Sequence, residues 1–177
     1  MVSKDKTKSV TPSKMPFDMT LEGGYSYLIK EDDKAPENRL IVENAQFSGK
    51  VLHITRHVPE LSENTGAHEN EAYIWLTFNK GPNCIEPTNI TRLSIRIQDF
   101  LKENKNATIL FDGLEYLTSQ NDFSTILHFI QLLNDKIMIS DSKLILSINP
   151  FAFKPKELAQ IEREMESLDD RYIKNQK

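Results

Sequence analysis

Short runs that favour β-strands alternate along this chain with longer segments of helical periodicity, and this alternation limits the folds open to it. Several of the runs are almost continuous in apolar or β-branched residues, which is typical of strands covered on both faces in a parallel sheet. The five runs are YSYLIK (25–30), VLHIT (51–55), YIWLTF (73–78), ATILF (107–111) and KLILSI (143–148).

Between and after these runs, apolar side chains recur every three or four residues, as on one face of an α-helix. The predicted helices are residues 90–101, residues 123–137, a third that begins at Pro155, and a shorter one within residues 35–47. Thr88 or Asn89 is the candidate N-cap of the first helix, and Asn121 or Asp122 of the second.

This order predicts an α/β fold in three layers. We expect a mostly parallel five-stranded sheet with helices on both faces, joined by right-handed crossovers. The 177 residues suit a single domain, which we place at residues 21–168. Residues 1–20 are predicted to be a flexible, basic tail and residues 169–177 a frayed polar end, because they offer few apolar side chains to offset the entropy of ordering.

Composition narrows the classes of function. The net charge of −4 argues against a general nucleic-acid binder. The single cysteine excludes an internal disulfide, and the four histidines lack the spacing of a zinc site. No run of about 18 apolar residues is present to span a membrane, and no apolar stretch follows the N-terminal lysines as in a secretory signal. We therefore expect a cytoplasmic protein without a metal or cofactor.

The stretch ATILFDGLEYL (107–117) resembles the strand end of a nucleotide-hydrolysing protein, where a carboxylate such as Asp112 holds Mg²⁺ beside a phosphate. Such a site also needs a glycine-rich loop after the first strand. Here the segment after that strand has no glycine and carries Glu31, Asp32 and Asp33, which would repel a triphosphate. We therefore predict that the protein hydrolyses neither ATP nor GTP and is not an enzyme.

Polar residues just past the ends of parallel strands meet on one edge of the sheet, where ligands usually bind. That edge is predicted to gather Glu31, Thr55, Arg56, Asp112 and Asn149. They are either a ligand-binding rim or structural residues that cap helices and tie loops together. We expect a mainly structural Asp112, bonded to loop amides or to Arg56, and the loss of a buried pair would cost about 3–5 kcal/mol.

The end of the N-terminal tail differs from the rest, because Met15, Phe17 and Met19 alternate with other residues. An extended segment of this pattern can add to a sheet edge or fill a groove. These three residues are therefore candidate partner-docking residues, with packing against the chain's own domain as the alternative. If the segment acts between chains, a homodimer or larger assembly is expected.

Several segments, in order, resemble the archaeal family called "domain of unknown function 835". They are YSYLIKE, VLHITRHVPE, YIWLTF, the long stretch from RLSIRIQDFL to LLNDKI, LILSINP and KELAQIEREME. The most specific piece is FDGLEYL followed by the helix FSTILHFIQLLND. The family is also attached to signalling modules. Its pattern is similar to the recombinase-like (RecA-like) and circadian-clock-like ATPase fold, with the phosphate loop lost and the strand-end Asp retained.

The resemblance implies an archaeal origin and a degenerate nucleotide-fold scaffold, but no known activity. It also implies that Asp is common where this chain has Asn149, which argues against a retained metal pocket. We therefore expect a non-catalytic regulatory or adaptor domain that binds protein partners, including a second copy of itself. The alternative is a nucleotide or small-ligand binder at the strand ends without efficient hydrolysis. Nucleic-acid binding rests only on the basic tail.

Overall fold

Seven parallel strands form one sheet in the part of the chain that the structure describes, which is residues 21–31, 49–58 and 70–168 of a computed structural model. The strands are β1 (Tyr25–Lys30), β2 (Val51–Thr55), β3 (Glu71–Leu76), β4 (Cys84–Ile85), β5 (Thr108–Asp112), β6 (Lys143–Ile148) and β7 (Glu166–Ser167). Their order across the sheet is β4-β3-β2-β5-β6-β1-β7. The predicted α/β fold with a parallel sheet is confirmed.

The predicted number of five strands is wrong, since the sheet has seven. The two strands that were not predicted, β4 and β7, have only two residues each. A strand of that length shows no periodicity in the sequence. Strands β1, β2 and β6 have their predicted bounds, whereas β3 lies two residues earlier and β5 one residue later than predicted. The ladder explains both shifts, since Glu71 pairs with Val51 and Asp112 pairs with Ser147.

Four α-helices are found within the described ranges. They are α1 (Ile90–Glu103), α2 (Leu114–Gln120), α3 (Phe123–Met138) and α4 (Pro155–Glu164). Asn89 caps α1 by accepting a hydrogen bond from the Arg92 N–H, and α4 begins at Pro155 as predicted. The seven-residue α2 is missing from the prediction. The helix predicted within residues 35–47, like both tails, lies outside the described residues.

All four of these helices pack on one face of the sheet, which we call the helical face. Their apolar side chains form the main core with strand residues that share that face, among them Leu28, Ile54, Ile74, Phe111 and Leu146. None of the described helices lies on the other face, so the predicted second helical layer is not seen there. The connections from β4 to β5, β5 to β6 and β6 to β7 all run in one direction across the sheet, and right-handed crossovers therefore place them on one side.

The second face carries a smaller apolar cluster, built from Tyr27, Ile29, Ile145 and Leu168 with Leu21 and Leu110 against it. These strand residues alternate with those of the helical face, as the period of two in a β-strand requires. No helix in the described ranges has the length and apolar character needed to cross a membrane.

The centre of the sheet holds a topological switch point. Strands β2 and β5 are neighbours, yet the chain continues from β2 to β3 on one side and from β5 to β6 on the other. Ligands in open parallel sheets bind at the carboxyl ends of strands that diverge in this way. The connections past Thr55 and Asp112 therefore mark the first place to look for a site.

Candidate functional site

The carboxyl edge of the sheet, which we call the rim, consists of residues 31, 55–58, 75–78, 112–116 and 149–151. The rim contains all five residues that the sequence placed at strand ends. Pairing of Ile54 with Phe111 brings the exits of β2 and β5 side by side. On the other side of β5, the Glu31 N–H donates to the Ile148 carbonyl at 2.8 Å and joins β1 to β6.

Arg56 lies over an aromatic ring rather than against a carboxylate. Its guanidinium carbon is 4.3 Å from the centre of the Tyr116 ring, and its Nη1 lies 3.5 Å from the Leu76 carbonyl. The expected pair between Arg56 and Asp112 is therefore wrong. Because side chains alternate along a strand, Arg56 follows Ile54 onto the helical face, whereas Asp112 follows Leu110 onto the second face.

Asp112 lies next to His57 instead. The His57 Nε2 lies 4.0 Å from Asp112 Oδ2, with the two side chains 85% and 56% exposed. The Thr55 hydroxyl accepts a hydrogen bond of 3.0 Å from the His57 N–H, which fixes the turn that carries the imidazole. At this exposure such a contact, which is an ion pair only when His57 is protonated, is worth about 0–1 kcal/mol. The cost of 3–5 kcal/mol, which assumed burial, therefore does not apply to this pair.

Glu115, in the first turn of α2, is a rim carboxyl whose pKa is raised. Its Oε1 accepts a hydrogen bond from the Asn149 N–H at 2.5 Å. Burial raises the pKa of Glu115, the negative charges of Asp112 and Glu31 raise it further, and the bond from Asn149 opposes them. The rim therefore concentrates negative charge at the ends of β1 and β5.

Gly113 allows the exits of β2 and β5 to come this close. Its φ is +127°, and a Cβ at this position would lie 3.2 Å from Leu76 Cδ1 and 3.3 Å from the Arg56 nitrogen. An L side chain rarely adopts that φ, and the space is already filled. The glycine after Asp112 therefore serves the close approach of two backbones and the start of α2.

The rim can attract a positively charged group but offers little to an anion. Three carboxylates interact there, those of Glu31, Asp112 and Glu115, while the Arg56 guanidinium is engaged by Tyr116. No cluster of three or more His, Cys, Asp or Glu side chains suited to a metal ion occurs among the described residues.

Sequence reasoning missed the apolar side chains of the rim, and also His57, Glu115 and Tyr116. The alternation of side chains carried a signal for His57, because this residue is two positions after Thr55 and shares its face. Glu115 and Tyr116 belong to α2, whose seven residues are too few to predict as a helix. Tyr116 is partly buried and packs against the core.

The rim also exposes apolar side chains. Val58 is 66% exposed, Phe78 55% and Phe151 79%. They follow three different strands, β2, β3 and β6, so they are distributed along the edge. Trp75 adds a half-buried indole, whose Nε1 donates to the Arg56 carbonyl at 3.1 Å.

Parallel strands, helical crossovers and a polar rim at the switch point define an α/β domain of the open-sheet class. The family model described as "Protein of unknown function (DUF835)" matches residues 29–165. The chain therefore belongs to this family, as its resemblance indicated. A search of curated proteins finds no match.

Proposed function

We propose that the protein is a non-catalytic regulatory or adaptor domain that binds a protein partner through the rim. The observation that supports this most is the exposure of Val58, Phe78 and Phe151 on the same edge as Arg56 and Trp75. Aromatic residues and Arg are enriched in the energetically important centres of protein interfaces. Exposed apolar side chains that follow three strands on the same edge favour such an interface.

The charges of the rim favour a protein partner over a nucleotide. A triphosphate placed at the end of β1 would meet Glu31 and, close by, Glu115, whose carboxyl feels the charges of both Glu31 and Asp112. Like charges at such distances repel. In this proposal the scaffold is a degenerate RecA-like fold, which keeps the strand-end Asp112 and has lost the phosphate loop. We place the protein in the cytoplasm of an archaeal cell, in a signalling role.

The proposal is tested by co-purification from the organism that encodes the chain. The full chain is compared with a rim variant, Val58→Ser, Phe78→Ser and Phe151→Ser. A matched control is Met138→Ser with Ile139→Ser, which removes side chains that are 64% and 83% exposed at the end of α3. A partner that is retained by the control and lost by the rim variant supports the proposal.

Two results would overturn it. One is a partner retained equally by the native chain and the rim variant, with both folded by circular dichroism. The other is release of phosphate from ATP or GTP with Mg²⁺ that disappears in Asp112→Ala, because that result would make the rim a catalytic site.

A second candidate function is binding of a nucleotide or small ligand at the rim, without efficient hydrolysis. The switch point between β2 and β5 favours it. The three carboxylates there suit a ligand with a positively charged group better than a phosphate. Thermal unfolding with spermidine and with ATP shows whether the rim binds a positively charged ligand or a phosphate. Only a ligand that binds the folded state raises the melting temperature.

A further inference from the structure

Four of the six residues of β3, residues 71–74, have no partner on its outer edge among the described residues. Strand β4 covers only its end, where Trp75 pairs with Cys84 and Leu76 with Ile85. The Trp75 N–H donates to the Asn83 carbonyl at 2.8 Å, so it points away from β2. Because amides alternate in direction along a parallel strand, those of Tyr73 and Glu71 point to the same outer side. This edge is a template for another extended chain.

A groove runs beside this open edge. Its volume is about 490 Å³, within the range of roughly 300–1,000 Å³ of binding clefts. Residues 71–74 of β3 form one wall, and Arg96, Asp99, Phe100 and Glu103 of α1 form the other. Four residues of an extended chain span about 13 Å, so residues 71–74 offer the length of a short added strand.

The charged side chains that line this groove are mainly acidic. Asp99 and Glu103 line it with their carboxylates, against a single cation, Arg96, whereas the Tyr73 hydroxyl holds the Glu71 carboxylate on the second face. The Arg96 Nη1 donates a hydrogen bond of 3.2 Å to the Pro82 carbonyl. Asp99 Oδ1 lies 3.7 Å from Lys102 Nζ. Glu103 is exposed. The groove therefore complements positive charge.

The strand that forms the wall is fixed on its second face. The Tyr73 ring stacks on His53 with centroids 4.6 Å apart, and its hydroxyl donates to the Glu71 carboxylate at 2.5 Å. These contacts hold the two residues whose amides face outward. A preformed edge lowers the entropic cost of binding an extended chain.

We propose that this groove binds an extended, lysine- or arginine-bearing segment of a partner protein, which adds to the sheet as a strand beside residues 71–74 of β3. Main-chain bonds to Glu71 and Tyr73 provide the docking, and the acidic groove selects the positive charge. This surface goes beyond the rim interaction proposed above and uses none of its residues.

The test uses the full chain labelled with ¹⁵N and the synthetic peptide acetyl-Thr-Lys-Val-Lys-Val-Lys-Val-Thr-amide. The expected result is slower hydrogen exchange at the amides of Glu71 and Tyr73 when the peptide is added. The amides of Ala72 and Ile74, which face β2, are the internal control. A peptide with Glu in place of every Lys is expected to give no effect.

Charge variants test the selectivity. Glu103→Lys is expected to weaken binding of the lysine peptide about three- to tenfold, with Glu103→Gln between it and the native chain. Asp135→Lys makes the same charge change on α3, none of whose residues lines the groove, and should leave binding unchanged. The triple rim variant should also bind normally, so that failure of this proposal and failure of the rim proposal remain distinguishable.

Three results would overturn the proposal. The first is no protection at Glu71 and Tyr73, and the second is equal binding of the lysine and glutamate peptides. The third is protection of both amides before any peptide is added, since this would mean that another part of the chain or a second copy already occupies the edge.

Discussion

The side-chain carboxylate of Glu115 accepts a hydrogen bond of 2.5 Å from the main-chain N–H of Asn149, and so joins the first turn of α2 to the end of β6. Burial nevertheless raises the pKa of Glu115 above its ordinary value of 4.5, helped by Asp112 and Glu31. A carboxyl with a raised pKa contributes stability below its unfolded-state pKa, and this contribution is lost as the pH rises through the folded-state pKa.

Glu115→Gln is therefore expected to raise the melting temperature at pH 7. The amide keeps an oxygen that can accept the Asn149 bond, and the buried charge is removed. For a chain of this size each kcal/mol gained corresponds to about 2–4 °C. The gain should shrink as the pH falls towards 4.5, because a raised pKa makes the native carboxyl take up its proton more readily than in the unfolded chain. Thermal unfolding at both pH values checks this, with the exposed Glu86→Gln as control, and a lower melting temperature at pH 7 would contradict it.

Asp112→Asn is expected to lower the pKa of Glu115. The negative charge of Asp112 is one of the causes that raise this pKa, and the amide removes it. Titration of the Glu115 side-chain carboxyl by NMR measures the change directly. Asp99→Asn, on α1, serves as the control. An unchanged pKa of Glu115 would mean that the two carboxyls do not interact across the rim.

Gly113→Ala is expected to lower the free energy of unfolding by about 1–3 kcal/mol. An alanine here must adopt a φ of +127°, and its Cβ would lie 3.3 Å from the Arg56 nitrogen. Denaturation by urea measures the loss. Gln120→Ala, an exposed change at the end of α2, should stay within about 0.5 kcal/mol of the native chain. Equal stability of Gly113→Ala and the native protein would show that the exits of β2 and β5 need no glycine.

His53→Phe is expected to make the protein less sensitive to mild acid. Burial lowers the pKa of His53 below 6.5, with Glu71 opposing the shift. The stability that the lowered pKa of His53 contributes is therefore present above pH 6.5. This stability is lost as the pH falls through the folded-state pKa. The phenyl ring can keep the stack on Tyr73 and cannot titrate. The fall in melting temperature between about pH 7.5 and 5.5 should be smaller than in the native chain, whereas His128→Phe on α3 should not reduce it.

Three strands could be predicted from the sequence with their bounds, because each is almost continuous in apolar or β-branched residues. YSYLIK, VLHIT and KLILSI lie within β1, β2 and β6 without an error at either end. Cys84–Ile85 could not be predicted, because its strand character depends on the Trp75 N–H that bonds to Asn83. This contact belongs to the tertiary structure and leaves no periodicity in the sequence.

The residues that gather at the rim were also predictable, whereas the contacts between their side chains were not. The rule that parallel strands end together placed Arg56 and Asp112 on one edge correctly. The rule does not specify the face to which each side chain points, so it paired Arg56 with Asp112 instead of His57 with Asp112. The exposure of Asp112 depends on how neighbouring segments pack, which a strand-end position does not reveal.

The place of β1 in the sheet has a consequence for synthesis on the ribosome. Both of its neighbours, β6 and β7, come later in the chain, and Tyr25 pairs with Lys143, which is 143 − 25 = 118 residues further on. At roughly 5–20 residues per second, the nascent β1 waits about 6–24 s for its first neighbour. Throughout that time YSYLIK has no sheet neighbour on either side, so a chaperone that protects it has this whole interval in which to act.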